Sequence, residues 1–226
     1  MKTAVLLSGC GVYDGAEIHE STFVLLALSQ KKLDFICTAP NIKQHHVINH
    51  TSGEEMNEER NILVESARIA RGEVVSLSKL DKDTISSLVI PGGFGSAKNL
   101  SNWAFKGQNG EVLQEVKDLI LHCVENKKPI VALCISPTLI AKSLEGTDNH
   151  ALLTLGTSSE KSEYNIAEIH DSVSSVGATT INKSIKEICV DENLKIISAP
   201  CYMMDAKMDE VYANIKSAVD KLSELL

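Results

Sequence analysis

Cys134 stands at the end of an apolar run, in the stretch PIVALCISPTLI. The run before it predicts a buried strand, and Pro137 marks the first turn of a helix. A thiol on such a corner lies beside the free amides of a helix N-terminus, which favour its thiolate form. A sharp strand-to-helix corner also lifts a side chain out of the sheet edge, as in nucleophile elbows. Cys134 is therefore a candidate nucleophile, with inert packing in the core as the alternative.

A thiol nucleophile needs a group that moves its proton, and Glu20 is the candidate. It lies one helical turn beyond Glu17, inside a predicted helix. A carboxyl that faces the sheet there is partly desolvated, so its pKa rises and it can hydrogen-bond the sulfur as a neutral acid. The alternative is a solvated surface glutamate, and spacing alone favours that alternative.

The chain has six cysteines, with no CxxC pair and no regular spacing. This pattern is typical of free thiols in a reducing compartment rather than of a disulfide framework. The five others are weaker nucleophile candidates than Cys134, because they lie within apolar strands, in mid-helix or in turns without a clear helix start: Cys10, Cys37, Cys123, Cys189 and Cys201.

Two further motifs suggest ligands. His45, His46 and His50 cluster in KQHHVINH, but no nearby cysteine completes a ligand set, so we expect a polar loop and no metal. The glycine-rich stretch of residues 9–15 has the spacing G-x-G-x-x-x-G after a strand, which could seat a pyrophosphate. However, no acidic residue ends the second strand to hold a ribose. We therefore expect a tight turn at these glycines and no organic cofactor.

Strands and helices alternate along the chain. Predicted strands cover 3–7, 33–40, 85–93, 129–133, 187–191 and 194–200, with a further apolar run at 151–156; predicted helices cover 16–32, 57–72, 111–128, 137–144, 163–177 and 205–226. Continuous apolar strands between helices indicate a doubly wound, mostly parallel α/β sheet with helices on both faces. We predict one domain over residues 1–226. Such sheets carry their sites at the carboxyl ends of the strands.

Composition limits the partners. The net charge of −8 argues against nucleic acid or an anionic membrane surface, since both need a basic face. No stretch approaches the apolar length of a membrane span. The start MKTAVLLSGCG is too short and too soon acidic for a secretory signal, and the expectation from these features is a cytoplasmic protein. A transit peptide removed beforehand would leave no trace.

Three segments together resemble one family: GVYDGAEIHE (11–20), IPGGFGSAKNL (90–100) and VALCISP (131–137). They are similar to the DJ-1/PfpI superfamily, and more narrowly to its ElbB/ES1 branch, the "enhancing lycopene biosynthesis" and sigma cross-reacting proteins. The resemblance extends over nearly the whole chain, including VINHTSGE (47–54) and APCYMMDA (199–206).

The resemblance implies a flavodoxin-like fold, a homodimer, and a cysteine on a strained elbow that faces a glutamate from the first helix. By position these residues are Cys134 and Glu20. Gly92 and Gly93 would lie beside the thiol and supply backbone amides, with the amide of Ile135 near any oxyanion.

His19 and His50 fall in motifs that match the branch and are candidates for the pocket, although each could equally be structural. Many relatives carry a histidine directly after the cysteine, whereas this chain has Ile135, which weakens a peptidase interpretation. The amidotransferase pattern G-x-C-x-G is also missing.

The resemblance implies a glyoxalase-like enzyme that converts a small 2-oxoaldehyde to a 2-hydroxy acid without metal or organic cofactor. A non-enzymatic, redox-responsive cysteine protein is the first alternative, because it needs the same reactive thiol. An accessory role in isoprenoid metabolism is the second, and only the name of the branch suggests it.

Overall fold

The computed structural model describes residues 1–226. The strands are β1 (Lys2–Leu6), β2 (Phe35–Ala39), β3 (Val74–Ser76), β4 (Ile85–Ile90), β5 (Ile130–Leu133), β6 (Leu152–Leu153), β7 (Thr179–Thr180), β8 (Cys189–Asp191) and β9 (Ile196–Ala199). The helices are α1 (Ile18–Gln30), α2 (Ile62–Ile69), α3 (Phe94–Lys98), α4 (Trp103–Lys106), α5 (Gln114–Glu125), α6 (Pro137–Leu144), α7 (Ile166–Ser175) and α8 (Met208–Leu225).

Seven of the strands form one sheet, in the order β3-β2-β1-β4-β5-β9-β8. All neighbouring pairs are parallel except β8 and β9, which are antiparallel. The predicted doubly wound, flavodoxin-like α/β fold is therefore confirmed. The chain order reverses at β1, so β1 and β4 lie side by side at the centre of the sheet.

The central strands are apolar throughout because both faces of the sheet are covered. Along β5, Ile130 and Ala132 pack into one hydrophobic cluster, whereas Val131 and Leu133 pack into the other. This alternation follows from the two-residue period of a strand. The helix α5 packs on the first face with Leu119 and Ile120, and α1 and α8 cover the second.

Some predicted boundaries differ from the structure. The helix predicted over 57–72 begins only at Ile62, because Asn61 accepts a hydrogen bond from the Val64 amide and caps the helix there. The edge strand β3 was missed, since three residues carry no periodic signal. The apolar run at 151–156 contributes β6, which pairs with β7 in a separate small sheet.

The strand ends that position the candidate site lie together at one edge of the sheet. Gly92 and Gly93 follow β4, Cys134 follows β5, and Cys201 follows β9. This is the carboxyl edge, where doubly wound sheets bind ligands. No helix combines the length and the apolar composition that crossing a membrane requires.

Candidate active site

Cys134 sits on a tight elbow between β5 and α6. Its backbone has φ 57°, a left-handed conformation that is unfavourable for any residue with a Cβ. The Cys134 amide donates to the carbonyl of Ala199 at 2.9 Å, which ties the elbow to β9. Two residues on, the Ser136 hydroxyl donates to the carbonyl of Pro91 at 2.6 Å. Cys134 also packs in the same cluster as Leu133, so the elbow breaks the alternation of the strand.

Glu20 reaches the thiol from the first turn of α1. Its carboxyl is fully buried and lies beside Cys134, because a Cβ built on Gly92 would be 2.6 Å from Oε2 of Glu20 and 2.9 Å from Sγ of Cys134. Its Oε2 accepts from the Gly92 amide at 2.8 Å, and its Oε1 accepts from the Tyr202 amide at 3.3 Å. Glu17 caps the helix by accepting from the Glu20 amide, and the Glu17 amide donates to the carbonyl of Gly92. The helix start is thus fixed directly against the glycine turn.

The charge state of the pair follows from burial. Desolvation, with the nearby charge of Glu17 as the second cause, raises the pKa of the Glu20 carboxyl from 4.5 to about 8. Burial also raises the pKa of the Cys134 thiol, and an ionised Glu20 would raise it further. Because Glu20 binds a proton at neutral pH, that repulsion is absent there. Both groups therefore hold a proton at neutral pH, and loss of one proton from the coupled pair gives the form in which Glu20 and Cys134 share the other.

The glycine turn leaves room for this pair. A Cβ on Gly92 would lie 2.3 Å from the Cβ of Cys134 and 2.6 Å from Oε2 of Glu20. Gly93 has φ 96°, a conformation that glycine adopts without steric cost. The backbone amides of Gly93 and Ile135 lower the pKa of the Cys134 thiol against the larger effect of burial.

A cavity of about 270 Å³ opens above the sulfur, which is close to the lower limit of roughly 300 Å³ for small-molecule sites. Apolar and aromatic side chains form most of its wall. Cys134 is 7% exposed, and this exposed part faces the cavity. The lining residues are Val12, Glu17, Gly93, Phe94, Ala97, Trp103, Ala104, Cys134, Ile135, Tyr164, Ile169, Tyr202 and Met203.

The two predicted pocket histidines lie outside this cavity. His19 contacts the Tyr202 hydroxyl through Nδ1 at 2.9 Å and lines an adjoining groove. His50 accepts from the Tyr13 amide at 3.2 Å, and its Nδ1 lies 3.0 Å from the carbonyl of Ile48. Both nitrogens of His50 therefore bind backbone, which is a structural role that joins the segment after β2 to the loop after β1. The predicted substrate contacts of these two histidines have no support in this geometry.

The other motifs also form packed structure. The loop of residues 9–15 packs on α3, with the amide of Phe94 donating to Val12 and that of Gly95 donating to Gly15. A Cβ on Gly15 would lie 2.3 Å from the Cys10 nitrogen. The rings of His45 and His46 pack against each other, with centroids 4.4 Å apart. No group of three or more His, Cys, Asp and Glu side chains is arranged to hold a metal ion.

Several lining residues were not among the predicted site residues. Tyr202 was quoted only within the motif APCYMMDA, and Tyr164 fell inside a predicted helix that in fact begins at Ile166. Trp103 lies on the four-residue helix α4, which is too short for a periodic signal. Glu17 entered the sequence analysis only as the residue one helical turn before Glu20. The one available signal was membership of a motif that carries the family resemblance, which applied to Glu17, Phe94 and Tyr202.

A buried cysteine on a strand-to-helix elbow, beside a protonated carboxyl from the first helix, defines a protein of the DJ-1/PfpI class. The solved structures agree. The crystal structure of an isoprenoid biosynthesis protein with an amidotransferase-like domain from Ehrlichia chaffeensis superimposes with a TM-score of 0.90, at 33% identity over 100% of this chain and 99% of that one. Drosophila melanogaster DJ-1beta superimposes with a TM-score of 0.56 at 18% identity, covering 99% of this chain and 95% of that one, and shows the fold alone.

The curated relatives identify the branch. The chain is 38% identical to the rat ES1 protein homolog, over 99% of this chain and 84% of the rat protein. It is 37% identical to the human glutamine amidotransferase-like class 1 domain-containing protein 3, over 99% of this chain and 83% of the human protein. No family model matches the sequence. The chain belongs to the ES1 family.

These relatives contradict one expectation. The rat and human proteins and the zebrafish ES1 protein are all named as mitochondrial. The cytoplasmic location predicted from the sequence is therefore wrong by this comparison. The prediction relied on the residues at the start of the chain, and a leader that has been removed leaves no mark there.

Proposed function

We propose that this protein is a glyoxalase-like enzyme, which converts a 2-oxoaldehyde to a 2-hydroxy acid with Cys134 as the nucleophile and Glu20 as the proton carrier. The observation that carries the proposal is the placement of a fully buried carboxyl, that of Glu20, beside the Cys134 thiol, where burial raises the pKa of the carboxyl to about 8. Such a carboxyl carries a proton at neutral pH and exchanges it easily, as a general acid and base must.

The reaction begins from the form of the pair that has lost one proton: the Cys134 thiol passes its proton to the Glu20 carboxylate, and the sulfur attacks the aldehyde carbon as a thiolate. An S–C bond forms, the π electrons of the carbonyl move to its oxygen, and the proton on Glu20 passes to that oxygen to give a hemithioacetal. The carboxylate of Glu20 then removes the proton from the same carbon and returns it to the neighbouring carbonyl carbon, while the hydroxyl proton moves to the second oxygen.

These transfers balance without an external oxidant. The former aldehyde carbon is oxidised to a thioester, and the neighbouring carbonyl carbon is reduced to an alcohol. Water then cleaves the S–C bond, which releases the 2-hydroxy acid and restores the thiol. The amides of Gly93 and Ile135, which lower the pKa of the Cys134 thiol, would stabilise negative charge on an oxygen bonded to the carbon that the sulfur attacks.

Turnover of glyoxal and methylglyoxal by the purified protein tests the proposal. Cys134→Ala should abolish the activity, and Glu20→Gln should lower it by about 10² or more, the usual contribution of a general base. Glu20→Asp should lose a similar factor because the carboxyl is withdrawn by one methylene. Cys10→Ala, at a cysteine outside the cavity, is the control and should retain wild-type turnover. Near-wild-type activity in Glu20→Gln would remove Glu20 from the mechanism.

Two other functions remain as alternatives. A redox-responsive protein would require the same thiol but no turnover, so a Cys134 that oxidises reversibly in an inactive wild-type protein would favour it. An accessory role in isoprenoid biosynthesis is supported by the description of the E. chaffeensis relative. The homodimer, the single domain and the roles of the site residues stay predictions.

A further inference from the structure

The wall of the cavity above Cys134 is more apolar than the binding of a small, hydrated 2-oxoaldehyde requires. Eleven of its thirteen lining residues are hydrophobic. Phe94 and Tyr164 approach each other edge to face, with ring centroids 6.3 Å apart. Glyoxal and methylglyoxal carry almost no apolar surface to place against such a wall. The free energy of apolar burial grows with the area removed from water. Binding of either small aldehyde would therefore gain little from this wall.

The charge of the wall excludes another group of substrates. No lysine, arginine or histidine lines the cavity, and Glu17 is the only carboxylate in its lining. An anionic substrate would find no cation to pair with, and its charge would face Glu17. Burying an unpaired charge is costly. A glutamine substrate, whose α-carboxylate needs such a partner, meets the same obstacle.

We propose that the substrate is an uncharged 2-oxoaldehyde with an apolar side chain about the size of an aromatic ring, which packs against Phe94, Trp103 and Ile135. This inference rests on the proposed function and specifies its substrate class. The reactive carbonyl lies at Cys134, and the apolar group extends toward Ala104 at the mouth of the cavity.

Kinetics with matched substrates test the size of the group. We expect kcat/KM for phenylglyoxal to exceed that for methylglyoxal by about 10-fold or more, the usual discrimination of a hydrophobic pocket. Ala104 is exposed and lines the cavity, so Ala104→Leu should narrow the cavity with little effect on folding and should lower the phenylglyoxal-to-methylglyoxal ratio. Ala213→Leu, at an exposed position on α8 outside this cavity, is the control and should keep the ratio. Methylglyoxal turned over as well as phenylglyoxal would overturn the inference.

A charged analogue tests the exclusion of anions. 4-Carboxyphenylglyoxal differs from phenylglyoxal by one carboxylate. We expect its kcat/KM to be lower than that of phenylglyoxal by about 10-fold or more. Glu17→Gln should reduce this difference in kcat/KM because it removes the negative charge that faces the substrate. The variant should keep its fold, since the amide oxygen of glutamine can still cap α1. Equal turnover of the two aryl substrates would contradict the charge argument.

A binding measurement separates failure of this inference from failure of the proposed function. If no aldehyde is turned over, the proposed function is wrong. Trp103 is the only tryptophan of the chain and lines the cavity, so its fluorescence reports on occupancy without turnover. In Cys134→Ala, saturable quenching by acetophenone but not by benzoate would support an uncharged apolar ligand. No quenching by acetophenone would overturn the inference independently of catalysis.

Discussion

Replacing Glu20 by glutamine should flatten the dependence of folding stability on pH. The carboxyl has a pKa of about 8 in the folded protein, against 4.5 when it is exposed to water. Between these values the folded state binds a proton that the unfolded state has lost. The free energy of unfolding therefore falls as the pH rises from about 4.5 to about 8, and it levels off on either side.

The size of the effect follows from these two pKa values. Linkage gives a loss of about 1 kcal/mol by pH 5 and about 3 kcal/mol by pH 7, so about 2–3 kcal/mol disappears between the two. Glutamine has no proton to lose and should show none of this loss. The amide nitrogen of glutamine cannot accept a hydrogen bond, so either the Gly92 or the Tyr202 N–H loses its acceptor. This loss lowers the free energy of unfolding by about 1–3 kcal/mol at every pH. The change with pH, and not the stability at one pH, is therefore diagnostic.

Urea unfolding between pH 5 and pH 7.5, followed by the fluorescence of Trp103, measures this dependence. Between pH 5 and pH 7 the free energy of unfolding of Glu20→Gln should fall by about 2–3 kcal/mol less than that of the wild type. The exposed Glu73→Gln is the matched control and should run parallel to the wild type. Parallel curves for Glu20→Gln and the wild type would refute the raised pKa and, with it, the neutral acid in the proposed mechanism.

Two further experiments examine the thiol and the glycine turn. With limiting iodoacetamide at pH 7.5, mass spectrometry should find Cys134 labelled first among the buried thiols, because it opens into the cavity whereas Cys37 and Cys123 are packed in the core. Preferential labelling of the more exposed Cys10 would contradict this. Gly92→Ala should lower the free energy of unfolding by about 1–3 kcal/mol and slow the labelling of Cys134, because the added Cβ would lie 2.3 Å from the Cβ of Cys134. Thermal melting and labelling rates measure the two effects. Values unchanged from the wild type would show that the turn tolerates the extra atom.

The elbow was predictable from the sequence because its determinants are local. An apolar run, a cysteine and a proline within eight residues are enough to indicate a strand, a corner and a helix start. The doubly wound sheet was predictable for a similar reason, since each strand and helix carries its own periodic pattern. The edge strand β3 and the short helix α4 lack such a pattern.

The pairing of Glu20 with Cys134 was not predictable from spacing. The hydrogen bonds of Glu20 join residues 72 and 182 positions apart, to Gly92 and Tyr202. Such contacts depend on the order of strands in the sheet, which periodicity does not specify. Family resemblance supplied this pair by position. The same resemblance also pointed to His50, whose ring nitrogens bind backbone instead, so a motif match alone does not establish that a side chain faces the pocket.

The backbone outliers of the chain separate ordinary turns from the candidate site. Six residues other than glycine have positive φ: Lys32, Arg71, Lys127, Cys134, Lys195 and Cys201. The four basic residues lie at turns between elements, three of them exposed, where such a conformation is common. Only the two cysteines are buried, and they follow the adjacent strands β5 and β9.

Strain in a buried position persists only where its surroundings enforce it. At Cys134 the enforcing contacts are the hydrogen bond to Ala199 and the bond of Ser136 to Pro91. Nearby, Glu20 is buried although a charged carboxyl there is unfavourable, and the turn at Gly92 excludes even one methyl group. These features all lower stability, and together they place one sulfur, one exchangeable proton and two amides around the base of a single apolar cavity. A fold selected for stability alone has no need of this combination, which supports the proposed chemistry at Cys134 over inert packing.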